Sequence, residues 1–308
     1  MNTMTKATLC ALGAAGISGV NGFLTKPALV AVGDPVLFTF LKNIVTVAAL
    51  LGAFFLFGKA REIREASGRD RWMLLAIGIV GGSIPFLLYF IGLSMIPAVT
   101  AAFLHKTLFL WVAILAVPLL GERVGWLQSF ALGLLLLAIT LFQLPVFQTF
   151  GTGEMLVLFA TFLWAIENII AKKVLYRISS LSAASARMTV GSVVIFGAVL
   201  FGGKTEMIFS LSFVAWGWIL LTGLLLTGFV SLWYRALSLA SATFVACLLV
   251  PATFITGTLS AIFVTHTFSV GQVVGWLCLI LGISFLWVRA FLSPPSKRLN
   301  PSVVEGRA

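Results

Sequence analysis

The stretch Gly92–Leu104, GLSMIPAVTAAFL, decides how the chain folds. It sits inside apolar sequence running from 72 to 117. About 20 apolar residues cross a bilayer as a helix, so one helix over that length would overshoot both faces. A turn must fall within it, and Leu93-Ser94-Met95-Ile96-Pro97 is the only break. Pro97 can open the next helix, because a proline's missing N–H costs nothing in a first turn. The same reading carried outward gives ten blocks: 7–31, 36–58, 72–93, 97–117, 125–144, 154–175, 183–202, 212–234, 238–262 and 270–289. The blocks lack the short alternating strands of a barrel, and a backbone in lipid must satisfy its own amides, so helices are expected.

Composition requires lipid as solvent. Of 308 residues 60% are hydrophobic and only 9% charged, against roughly 25% charged in a soluble domain. Mean hydropathy is +1.13. The net charge of +11 does not point to nucleic acid, because the basic residues are scattered between apolar blocks rather than gathered in a stripe. Cys10, Cys247 and Cys278 lie in apolar blocks with neither disulfide nor metal-type spacing. No cofactor or metal is called for, and no Walker sequence supports ATP-driven work. The N-terminal apolar run reads as a first span rather than a cleaved signal.

Basic residues in the joins set the orientation. With the N-terminus inside, every Lys or Arg in a join falls on the inner side except Lys204; Lys26, Lys42, Lys106 and Arg187 lie within spans. Both termini are therefore expected in the cytoplasm. Trp72, Trp126 and Trp276 stand near block starts, as interfacial anchors do.

The opening stretch also has an echo. A shift of 144 residues lays it on Ala236–Leu248, ALSLASATFVACL, matching Leu93 with Leu237, Ser94 with Ser238, Ala98 with Ala242 and Ala102 with Ala246. A shift of 145 lays Lys42 on Arg187; a shift of 146 lays Lys26 on Lys172 and Asn21 on Glu167. The chain thus reads as two five-span repeats, 1–147 and 148–292, with a flexible cytoplasmic tail at 293–308. Five is odd, so the second repeat enters from the opposite side, an architecture common in secondary transporters.

With these repeats, and with PLLGERVGWLQSFALG at Pro118–Gly133, ALSLASATFVACLLVPATF at Ala236–Phe254 and VGQVVGWLCLILG at Val270–Gly282, the chain resembles the EamA branch of the drug/metabolite transporter superfamily over roughly 7–290. Two departures stand out: Thr265-His266-Thr267 replaces the Gly-Glu-Arg of the first half, and His105 and Lys106 stand where the second half has Leu249 and Val250. The resemblance implies an integral transporter of small metabolites, often an exporter of amino acids or related compounds.

Charge inside a bilayer is costly and faces protein or water. His105 and Lys106 are adjacent and point about 100° apart, so they do not share one narrow face. Lys106 is read as lining a pathway, where it would bind a carboxylate or phosphate; pairing with Glu167 or a helix-end carbonyl is the alternative. His105 would titrate there or pack. Glu167, the one acidic residue deep in a span, would take a proton or neutralise Lys106. Asn21 would bind substrate or another helix. Lys42 and Arg187, within two turns of expected helix starts, are a gate or an interfacial anchor. Lys172 and Lys173 read as inner-face anchors. Tyr89, Trp164, Trp233 and Tyr234 would wall a pathway or pack. Gly13, Gly16, Gly19, Gly78, Gly81 and Gly82 would allow close helix contact, and Pro85 and Pro251 would kink their spans.

The expected function is transport of a small amino acid, carboxylate or phosphate-bearing solute across an inner membrane by alternating access, with export favoured by the resemblance. The expected partners are that small molecule and membrane lipid, with proton coupling open and no nucleic acid; the sequence sets no oligomeric state. Flipping of a lipid or lipid precursor by the same architecture is the alternative. A membrane enzyme acting on lipid head groups fits less well, for lack of clustered polar residues at an interface.

Overall fold

The structure, a computed structural model, describes residues 2–143 and 150–292. The expected tail and most of the join at 145–153 lie outside the described residues. The chain is an all-α polytopic membrane protein. Among the described residues nine helices or continuous helix pairs are long and apolar enough to cross a membrane, and a shorter apolar helix covers Trp126–Phe142.

In order, the first four helices are α1 (Thr3–Val32), α2 (Pro35–Leu56), the short α3 (Ala60–Glu65) and α4 (Gly68–Val80). Then come α5 (Ile84–Met95), α6 (Ala98–Lys106), α7 (Leu108–Leu120) and α8 (Trp126–Gln143). The remainder are α9 (Thr152–Val174), α10 (Ser180–Phe201), α11 (Phe213–Leu239), α12 (Ala242–Cys247), α13 (Pro251–Ser260) and α14 (Val270–Leu292). Local chemistry sets the ends. Asp34 accepts the Val36 and Leu37 N–H groups, and Pro35 begins α2. Ser179, Ser212 and Ser241 cap α10, α11 and α12 in the same way. The α7 chain leaves through Gly121 at φ 67°. The corresponding turn of the second half puts His266 at φ 53°, a backbone region that glycine adopts freely and histidine seldom does.

Among the described residues three spans are interrupted. One breaks at residues 81–83 between α4 and α5, another at Thr107 between α6 and α7, and a third at residues 248–250 between α12 and α13. Pro85 and Pro251 stand in the first turn after their breaks. Each therefore restarts a helix where sequence reading expects a kink in its middle.

Packing exchanges partners between the halves. α1 lies against α11 and α13, while α9 lies against α4, α5, α6 and α7. α2 packs on α10, and α8 on α14. Small residues permit the closest crossings. A Cβ at Gly82 would lie 2.2 Å from the Arg187 carbonyl oxygen, and one at Gly191 would lie 2.2 Å from the Gly82 carbonyl oxygen. Backbone thus meets backbone where the α4–α5 break crosses α10. Gly78 and Gly19 serve similar contacts, against Val190 and against Ile255 with the Ala252 carbonyl; Gly16 has open space around it. Outward faces are apolar, as lipid requires: Leu56 is 82% exposed and Phe201 97%. Trp72 and Trp126 are exposed as anchors should be. Trp276 is not one of them, for its ring packs inward on Phe254, with centroids 5.0 Å apart.

Candidate functional site

The helix breaks surround a central cavity of about 110 Å³. Its wall includes Asn21 from α1, Lys42 from α2, Tyr89 from α5, His105 and Lys106 from α6, Trp164 and Glu167 from α9, Arg187 from α10 and Trp233 from α11. Most of the residues singled out by sequence therefore converge on one space, although those named come from seven different spans.

The break at 81–83 does chemical work. Interrupting the helix frees the Gly81 carbonyl, which accepts Trp164 Nε1 at 3.0 Å and Arg187 Nη2 at 3.0 Å. Glu167 stands beside them. Arg187 Nε lies 3.7 Å from Glu167 Oε1, and the Tyr234 hydroxyl donates to the same oxygen. Both members of the ion pair are buried. A lone carboxylate at this depth would be very costly, and the guanidinium and phenol together stabilise it.

His105 and Lys106 occupy the last turn of α6, next to the break at Thr107. A helix C-terminus carries partial negative charge, which favours a cation there. That explains why two basic residues stand together within an apolar run. Lys106 Nζ reaches Ser18 Oγ at 3.4 Å, and no carboxylate of the described residues lies within 4 Å of it. Glu167 pairs with Arg187 rather than with Lys106. The His105 ring packs on Trp164 and Tyr89, at centroid distances of 4.8 and 5.3 Å. Its Nδ1 has no hydrogen-bond partner among the described residues, and neither does Asn21 Oδ1.

Lys42 and Arg187 do not reach the interface. Lys42 is 1% exposed and Arg187 4%, because both point inward across the α2–α10 packing. Lys42 Nζ lies 3.9 Å from the Phe90 ring centroid and 5.3 Å from those of Phe38 and Phe86. Tyr234, expected on the pathway wall, stands behind Glu167 and supports it instead. Lys172, expected as an inner-face anchor, is not exposed either. It is buried, and its Nζ donates to the Leu237 and Ala240 carbonyls, each at 2.7 Å. Lys26 does the same for Leu93 at 2.6 Å and Ile96 at 3.3 Å.

Sequence reading passed over Asn168, which follows Glu167 and is buried. Its Oδ1 accepts Trp233 Nε1 at 3.0 Å, fixing that indole, and its Nδ2 donates to the Trp164 backbone carbonyl one turn earlier at 2.8 Å. An amide beside a carboxylate in mid-span was the available signal. Phe86, Phe90 and Phe229 also line the cavity, and nothing distinguishes them in sequence from the many other phenylalanines.

Away from the cavity, carboxylates tie helix ends. Glu62 accepts the Ser179 N–H and the hydroxyls of Ser179 and Ser182, each hydroxyl at 2.7 Å. Burial alone would raise its carboxyl, but these bonds outweigh burial and hold it below the usual carboxylate range. Glu122 of the Gly-Glu-Arg turn accepts the N–H groups of Ala242 at 2.6 Å and Thr243 at 3.1 Å, capping α12. Asp70 takes a bidentate pair from Arg177, Nη2 donating to Oδ1 at 2.6 Å and Nε to Oδ2 at 3.0 Å.

Among solved structures, a protein crystal structure superposes with a TM-score of 0.75 at 14% identity, covering 92% of this chain and 98% of that one. That likeness concerns the fold alone. No curated protein matches the chain in sequence. The profile of the EamA-like transporter family matches twice, over residues 5–144 and 151–288. Two such matches take in nearly the whole chain, and it belongs to the EamA-like transporter family.

Proposed function

We propose that this membrane transporter is a secondary carrier that moves a small carboxylate- or phosphate-bearing solute through its central cavity by alternating access. In this reading it has ten spans in an inner membrane, both termini in the cytoplasm, and two inverted five-helix halves at 1–147 and 148–292, followed by a cytoplasmic tail. Export is the direction favoured by likeness to its family.

The cavity wall carries the reading. Both halves contribute to it, and it presents three cationic side chains, Lys42, Lys106 and Arg187, against the single carboxylate of Glu167. Such a wall attracts anions and repels amines. The halves are supported by the two family matches and by paired contacts. Lys26 on the ends of α5 and Lys172 on the ends of α11 are equivalent interactions about 144–146 residues apart. By topology they belong to opposite membrane faces, where each would fasten one end of the pathway. The breaks at Thr107 and at 248–250 also correspond, and discontinuous helices at mid-depth typify carriers of this type.

Glu167 is the proposed point of proton entry. Protonation there would cancel the charge that holds Arg187 and free the guanidinium for substrate. The test is counterflow in proteoliposomes with labelled organic acids and organic amines, with and without an imposed pH gradient. Acid flux should exceed amine flux, and Glu167→Gln should lose the gradient dependence while keeping downhill exchange. Preferential amine flux would refute the anion reading. Full gradient dependence in Glu167→Gln would refute the proton role.

A further inference from the structure

We infer that the central cavity selects a compact organic dianion, whose two negative charges are met by Lys42 and Lys106. The inference rests on the cavity being the transport site.

It follows from a charge balance at one buried place. Among the ionised groups on the wall, Glu167 is already committed to Arg187 and to the Tyr234 hydroxyl. Two lysine side chains remain, neither with a carboxylate partner among the described residues. Lys42, 1% exposed, has no carboxylate within 4 Å and no hydrogen-bond acceptor among the described residues; it meets only the faces of Phe38, Phe86 and Phe90. Ring faces attract a cation, though less strongly than a counter-ion does. Lys42 also lies in the second turn of α2, close to the positive end of the helix, so the dipole does not compensate it. Lys106 reaches one serine hydroxyl and gains partial compensation from the end of α6.

Buried cations without counter-ions are costly in a membrane interior. A cationic ligand would worsen the balance, a zwitterion would leave it unchanged, and a monoanion would settle half of it. A dianion settles it. The unpaired His105 Nδ1 and the Asn21 amide stand on the same wall for the remaining polar atoms of such a ligand, and the aromatic side chains suit a short apolar body. Dicarboxylates and phosphate monoesters share this chemistry.

The test uses matched ligands and the purified full-length chain, read by the fluorescence of the cavity tryptophans at pH 8. Succinate is compared with butyrate, and ethyl phosphate with diethyl phosphate. At least one dianion should bind about tenfold or more tighter than its monoanionic partner, as one added charge-assisted contact implies. Whichever pair shows the preference identifies the class, dicarboxylate or phosphate monoester. Lys42→Met and Lys106→Met should each abolish the preference, the dianion then binding no tighter than its monoanionic partner. Equal binding within both pairs, or no binding of either dianion, would overturn the inference from the parent protein alone, whatever the variants do. So would variants that keep the preference. Counterflow of the same ligands separates the two readings. Dianion binding without flux upholds the inference and rejects the transport site; flux of butyrate or an amine without dianion binding does the reverse.

Discussion

Replacing Gly191 with alanine tests the backbone-to-backbone crossing of α10 with the α4–α5 break. The added Cβ would lie 2.2 Å from the Gly82 carbonyl oxygen and 2.3 Å from its carbon. Both obstacles are backbone, so no rotamer change relieves them. Restoring ordinary contact requires α10 to withdraw by about 1 Å. Overpacking of this kind costs about 1–3 kcal/mol, which for a chain of this size corresponds to roughly 3–9 °C in Tm. The displacement also reaches the cavity, because Arg187 lies one turn away on the same helix. Its bond to Gly81, now 3.0 Å, would open to about 4 Å, beyond hydrogen-bonding range. Gly197, also on α10, supplies the control, since a Cβ there has nothing within 4 Å. Thermal unfolding in detergent should show Gly191→Ala well below the parent and Gly197→Ala at or slightly above it; flux should fall only in the former. Equal Tm values and equal flux for the two variants would refute the close crossing.

Lys172→Met removes two charge-assisted bonds and leaves the α11 carbonyls without donors, which should cost about 2–3 kcal/mol; Lys26→Met should lower Tm comparably, since its contacts with the end of α5 are alike. Glu122→Ala exposes two N–H groups at the start of α12 and should cost about 1 kcal/mol, with Glu122→Gln retaining part of that, both read by Tm. Glu62 has a carboxyl held low in the folded state. Its contribution is therefore fully present above the unfolded value of about 4.3 and is lost as pH falls through the lower folded value. The Tm advantage of the parent over Glu62→Gln should accordingly shrink between pH 6 and pH 3; an unchanged gap would contradict the Ser179 and Ser182 contacts.

Much of this was legible in the chain because lipid imposes a simple rule: apolar blocks become helices, and charges inside them stand out. Glu167, Lys106 and His105 were conspicuous for that reason. Depth was harder to read. Lys42 and Arg187 lie near helix starts, where long side chains could have turned outward; α2 and α10 pack on each other and beside the α4–α5 break, and both side chains point inward. Pairing was harder still, since Glu167 lies within plausible reach of several cations. The Gly81 carbonyl helps decide it by holding Arg187 in place. Helix-end bonds such as those of Lys172 depend on where another helix stops, which residue composition leaves unspecified.

The Glu167–Arg187 pair also bears on how the protein enters the bilayer. Its partners lie on α9 and α10, successive helices joined by the short turn at residues 175–179. Each helix inserted alone would carry an uncompensated charge to mid-depth. Inserted together as a hairpin, they present a neutralised pair, and the insertion penalty of either charge falls. Variants that lengthen this turn should therefore show their defect first as poor membrane integration during synthesis, ahead of any loss in the activity of molecules that do integrate.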